Sequence, residues 1–151
     1  MKKIMFSDAF CLTQAVLSGT KTMTRRLLKD NVPLGNWEET KKHLPYKVGE
    51  VVAIAQSYKE VYPNADFEMI GDKFMTESAG WSNKMFVRAD LMPRHIEFTD
   101  VKVERLQDIS DKECLREGVK RASIGFYAEG VKVKDCEKEA HRETASGCLK
   151  L

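Results

Sequence analysis

A chain of 151 residues fits one domain with a modest core, and 42% apolar with 32% charged residues is the composition of a globular protein with a well-charged surface. The net charge of +2 is too small to imply nucleic acid by itself, so a basic footprint has to come from local clusters. No apolar window approaches the roughly 20 residues that span a bilayer, and the basic start Met1–Ile4 runs into Phe6-Ser7-Asp8 without the apolar core of a signal peptide.

The expectation is therefore a cytoplasmic protein with no membrane partner. Four scattered cysteines, Cys11, Cys114, Cys136 and Cys148, then read as reduced thiols. Cys136, His141 and Cys148 match no zinc spacing and lack a fourth ligand, so no metal or other cofactor is expected.

In chain order, Ser7 or Asp8 is placed to cap a short helix whose buried stripe includes Phe10 or Cys11 and Ala15, and Gly19 suits the left-handed position that stops it. The β-branched residues of Lys21–Arg26 predict a strand. Asn31, Pro33, Gly35, Asn36 and Pro45 mark a loop with a helical turn around Trp37–Lys42. Gly49-Glu50 followed by Val51-Val52-Ala53-Ile54 predicts a buried strand. Residues 59–83 read as an irregular excursion, and Met85–Ala89 as a further strand. The longest strand signal is His95–Leu106, with a change of phase at Thr99-Asp100 that implies a bulge.

Ser110-Asp111-Lys112-Glu113 is a capping box, predicting a helix from Asp111 to about Glu117 that ends at Gly118. From Lys132 to Glu143 the chain is dense in Lys and Glu, a solvated helix or a frayed tail. Short strands, two short helices and long loops predict an α+β fold, a small β-barrel with short flanking helices. Residues 1–130 would form the domain and 131–151 a charged C-terminal tail.

Chemistry is concentrated in Ser18-Gly19-Thr20-Lys21-Thr22-Met23-Thr24-Arg25-Arg26. A hydroxyl such as Thr24 becomes a nucleophile only when a base takes its proton. Lys21 serves as that base only if burial or nearby cations, here Arg25 and Arg26, lower its pKa. In a regular strand Lys21 and Thr24 face opposite ways, so they meet only if Lys21 still lies in the turn after Gly19. The plain alternative is a row of exposed threonines beside solvated cations. Glu117 sits at a helix C-terminus, where a carboxylate opposes the dipole by a few tenths of a kcal/mol, roughly. Arg88, Arg94 and His95 form a second basic cluster, in which Arg94 follows Pro93 and suits a phosphate or carboxylate. Trp37, Trp81 and Tyr58 are able to stack a base or simply to anchor loops.

Taken together, Gly19-x-Lys21-Thr22-x-Thr24-x-Arg26, Tyr46-x-Val48-Gly49-Glu50, Met92-Pro93-Arg94, Val101-x-Val103-Glu104-Arg105-Leu106-Gln107-Asp108-Ile109-Ser110 and Glu117-Gly118 resemble the ASCH-domain proteins of the PUA-like superfamily. The likeness runs in order through residues 4–120 and is nearest the phage- and prophage-borne members. The resemblance implies a small PUA-like β-barrel that binds RNA or a modified nucleoside through a basic cleft, with Arg25, Arg26 and Arg94 as substrate-binding residues. Some members are amidohydrolases that remove the acyl group from N4-acetylcytidine. By motif, their lysine, threonine and glutamate fall on Lys21, Thr24 and Glu117, implying a base, a nucleophile or water-orienting hydroxyl, and a proton-transfer carboxylate.

Two departures stand out. Relatives carry Arg-Glu-aromatic after the Val-Gly-acidic strand where this chain has Ala55-Gln56-Ser57-Tyr58, so a carboxylate is missing there. Relatives also continue into a barrel-closing strand where this chain reads Ser146-Gly147-Cys148, so either the tail pairs differently, the barrel is open or the sequence is a truncated version. An open edge strand invites pairing, which predicts a tendency to form a homodimer.

Overall fold

The computed structural model describes residues 1–29, 31–123 and 125–128. The tail expected over 131–151, with Cys136, His141 and Cys148, lies outside the described residues. The chain divides into two compact units, one formed by Met1–Phe6 with Arg26–Val103, the other by Ser7–Arg25 with the chain from Glu104 onward.

The first unit is built on the apolar run that follows Gly49. β2 (Val51–Ile54) is central, with β1 (Lys3–Ile4) parallel on one side and β5 (His95–Glu97) antiparallel on the other. The register pairs Lys3 with Ala53 and Ile4 with Ile54, then Val51 with Glu97, Val52 with Ile96 and Ala53 with His95. A strand flanked on both sides is apolar throughout rather than alternating, and Val52, Ala53 and Ile54 are all buried. Gly49 is needed at the turn before it, where φ is +79°.

Helix α2 (Trp37–His43) forms where the helical turn is expected and is capped by the Asn36 side chain, which accepts from the Glu38 N–H. The excursion after β2 is more regular than its composition suggests. Ser57 and Glu60 form a capping box that starts α3 (Tyr58–Val61), and β3 (Met69–Ile70) and β4 (Lys73–Phe74) make a hairpin around Gly71. These segments close a core of Ala53, Ala55, Tyr58, Ala65, Met75, Val87 and Met92. Tyr58 is its largest member, and its hydroxyl accepts the Arg88 N–H at 2.8 Å.

In the second unit, α1 (Leu12–Leu17) begins later than the Ser7 or Asp8 cap implies. Its N-cap is Cys11, held in the left-handed region at φ 52°, while the Asp8 carboxylate accepts the Thr13 hydroxyl at 2.6 Å. Helix α4 (Asp111–Arg116) has the expected capping box, and Gly118 follows it at φ +89°. A hairpin of β6 (Lys120–Arg121) and β7 (Phe126–Tyr127) comes next.

The expected β-barrel is not what forms. Among the described residues the strands make one open three-stranded sheet and two hairpins. Closure needs strands long enough to tilt and stagger around an axis, and these have two to four residues. Three segments expected as barrel strands are used otherwise. Lys21–Arg26 has no regular structure because its N–H groups bond a helix end. Met85–Ala89 runs from one 3-10 turn, Lys84–Phe86, through extended Val87 and Arg88 into the next, Ala89–Leu91. From His95–Leu106 only His95–Glu97 enters a sheet.

Packing around Tyr58 yields a test of this core. A Cβ on Gly80 would lie 2.4 Å from Tyr58 Cε2, although nothing in the Gly80 backbone forbids alanine. Gly80→Ala should therefore destabilise the fold by about 1–3 kcal/mol in urea unfolding followed by circular dichroism. Gly35→Ala, with nothing within 4 Å of the new methyl, should leave the midpoint unchanged.

Candidate functional site

The candidate site belongs to the second unit and starts with a backbone problem. The last carbonyls of a helix have no partner within it. At the end of α4 the chain after Gly19 supplies them: Thr22 and Met23 both donate to the Arg116 carbonyl, at 2.8 and 3.0 Å. The Arg116 side chain returns a bond from Nε to the Thr22 hydroxyl at 3.2 Å.

Lys21 completes this arrangement. It is only 6% exposed, and its Nζ donates to the carbonyls of Glu117 and Met23 at 2.7 Å each. Its own N–H is bonded to the Ala15 carbonyl at 2.8 Å, which ties α1 to the same segment. An ammonium at a helix C-terminus is where the macrodipole favours a cation. Gly118 is fixed there by its φ of +89° rather than by space, since a Cβ would make only ordinary contacts with Leu12, Ala15 and Lys21 at 3.5 Å.

Arg25 then gathers three carboxylates. Nε and Nη2 bond Glu104 Oε1 at 2.8 and 2.6 Å, Nη2 reaches Glu113 Oε2 at 3.1 Å, and Nη1 pairs with Glu117. The Glu117 side chain is 2% exposed, whereas those of Glu104 and Glu113 keep about a fifth of their surface in water. Burial pulls the Arg25 pKa down, but its hydrogen bonds to Glu104 and Glu117 outweigh that and hold it above the usual arginine value. Glu113 also accepts the Ser110 N–H at 3.3 Å, so one carboxylate caps α4 and binds Arg25. Nearby Cys114 is buried, which pushes its thiol up against the partial relief given by Arg25, and a thiol kept protonated is a poor nucleophile.

Of the residues singled out in the sequence, Lys21 and Glu117 meet, but through the ammonium and the main-chain carbonyl. Thr24 is half-buried in the same unit, with its hydroxyl outside this network. Arg25 is spent on carboxylates rather than free for a substrate anion. Arg26 and Arg94 belong to the first unit, where both are exposed, and Arg26 Nη2 donates to the Met5 carbonyl at 2.8 Å.

Glu104 and Glu113 were not singled out. The signal for Glu113 is its spacing of four from Glu117, which stacks like charges on one helical face and needs a cation between them. Among the described residues no group of three or more His, Cys, Asp or Glu side chains is placed to hold a metal ion, and no helix is long and apolar enough to cross a membrane.

Arg25→Met strands a buried carboxylate without its partner, so it should cost about 3–5 kcal/mol of stability by urea unfolding. Arg26→Met, at an exposed side chain, should stay within about 0.5 kcal/mol. Comparison with protein-family models, with curated proteins and with solved structures finds no match, so the role of this arrangement has to be argued from its own chemistry.

Proposed function

We propose that this chain is a cytoplasmic, ASCH-like binding protein for RNA or a modified nucleoside, and that it does not turn its ligand over. The observation that carries this reading is the commitment of the groups hydrolysis needs. Lys21 Nζ holds two carbonyls, and the Glu117 carboxylate is clamped by Arg25. A base must be neutral to accept a proton, and each carbonyl contact favours the charged ammonium instead. A framework locked in this way suits recognition. Arg26 and Arg94 are exposed arginines suited to phosphate oxygens.

A hydrolytic reading retains one supporting observation, the 2.7 Å bond between Lys21 and Glu117 in the same unit as Thr24. On that reading the Thr24 oxygen attacks the acyl carbon of an N4-acylated cytidine. The C–N bond breaks as N4 takes a proton, and water then cleaves the threonyl ester to release the acid and restore the hydroxyl.

Calorimetric titration with N4-acetylcytidine, cytidine and a short single-stranded RNA, alongside an acetate-release assay, separates the two. Binding without acetate release is expected. Arg26→Ala and Arg94→Ala should each weaken RNA binding and lower its salt dependence by about one ion. Acetate release abolished by both Lys21→Ala and Thr24→Ala would establish hydrolysis instead. No binding by the folded protein to any of the three would sink the main reading.

A further inference from the structure

The outer edge of the three-stranded sheet carries a pattern that goes beyond ligand binding. β5 is the terminal strand, and among the described residues nothing pairs with its far side. The ladder to β2 fixes which groups face outward. Arg94 and Phe98 bond Ile54 and Glu50 through their backbone, and Ile96 lies between them opposite Val52. In an antiparallel ladder this parity alternates, so the N–H and C=O of His95 and Glu97 point away from β2. Both side chains are exposed, and two residues apart they share one face of the strand.

We propose that β5 pairs with β5 of a second copy of this chain, antiparallel about a two-fold axis at Ile96. The register follows from the symmetry. Ile96 faces its own counterpart, and His95 of each copy faces Glu97 of the other. His95 and Glu97 are then the hydrogen-bonded pairs and exchange four main-chain bonds through the groups left outward. Ile96 is the intervening non-hydrogen-bonded pair, in which side chains approach most closely. Each imidazole donates to the facing carboxylate, so the edge complements itself in hydrogen bonding as well as in backbone parity. On the opposite face Arg94 is set against Phe98 of the second copy, a guanidinium on an aromatic ring. An edge carrying like charges would repel its own copy, which is how natural sheets avoid this pairing. This edge sets a hydrogen-bond donor opposite a carboxylate instead.

Sedimentation equilibrium of the full chain tests the proposal. The wild type should show a monomer–dimer equilibrium. Glu97→Lys sets a cation against His95 at both pairs and should weaken the dimer about tenfold or more. The double substitution His95→Glu with Glu97→Lys reverses both signs and should restore it. Glu97→Pro removes an outward N–H, leaves the ladder to β2 intact, and should weaken the dimer with the circular dichroism spectrum unchanged. A wild type that stays monomeric to about 1 mM overturns the proposal. So does a dimer indifferent to Glu97→Lys and Glu97→Pro, or a charge reversal that fails to restore association.

Discussion

The second unit depends on how the end of α4 is closed. Six helical residues are too few to persist alone, and their final carbonyls need donors. The chain after α1 delivers two N–H groups and one ammonium to that end, within a stretch of three residues. Gly19 at φ +75° turns the chain so that Lys21, Thr22 and Met23 arrive there. The two helices are thereby held by hydrogen bonds as much as by apolar contact, and Lys21 is buried because its charge is satisfied there.

Charge balance follows from the same docking. Glu113 and Glu117 lie one turn apart and Glu104 joins them, three carboxylates around the guanidinium of Arg25. The segment that satisfies the helix carbonyls also brings Arg25 to the acids, so the two devices are one piece of chain. A buried ion pair of this kind contributes little net stability compared with apolar residues of equal size, but losing one partner is costly. Its effect is to fix position: with Arg25 held by three partners, the backbone before it cannot slide along α4 without breaking several bonds at once.

Much of this was legible in the sequence where the cause is local. The capping box at Ser110, the glycine stops at Gly19 and Gly118 and the apolar run of β2 each leave a short-range signature, and each element formed. The failures were non-local. Thr22 and Thr24 read as strand residues because β-branching favours extended backbone, and the segment does lack helix. Whether extended chain enters a sheet depends on what lies beside it, and here the neighbour is a helix end. His95–Leu106 failed for the same reason: the alternation is real, but only three residues have a strand to pair with. A barrel inferred from counting such segments therefore overshoots. In the site, Lys21 and Glu117 meet through the ammonium and a main-chain carbonyl, a detail that spacing cannot distinguish from a carboxylate contact.

That distinction governs what Lys21 is able to do. An ammonium bonded to two carbonyls is stabilised in its charged form, because the carbonyl dipoles favour a full positive charge over the neutral amine that a base must be. A neutral Lys21 would keep two N–H donors for these two carbonyls but lose the positive charge that the helix end favours. Thr24, outside the network, gains no base merely by proximity in sequence. The chemistry suggested by the spacing and the structure that satisfies the backbone make opposite demands on one amine. The second demand is met in the resting fold, where Lys21, Thr22 and Met23 close the end of α4.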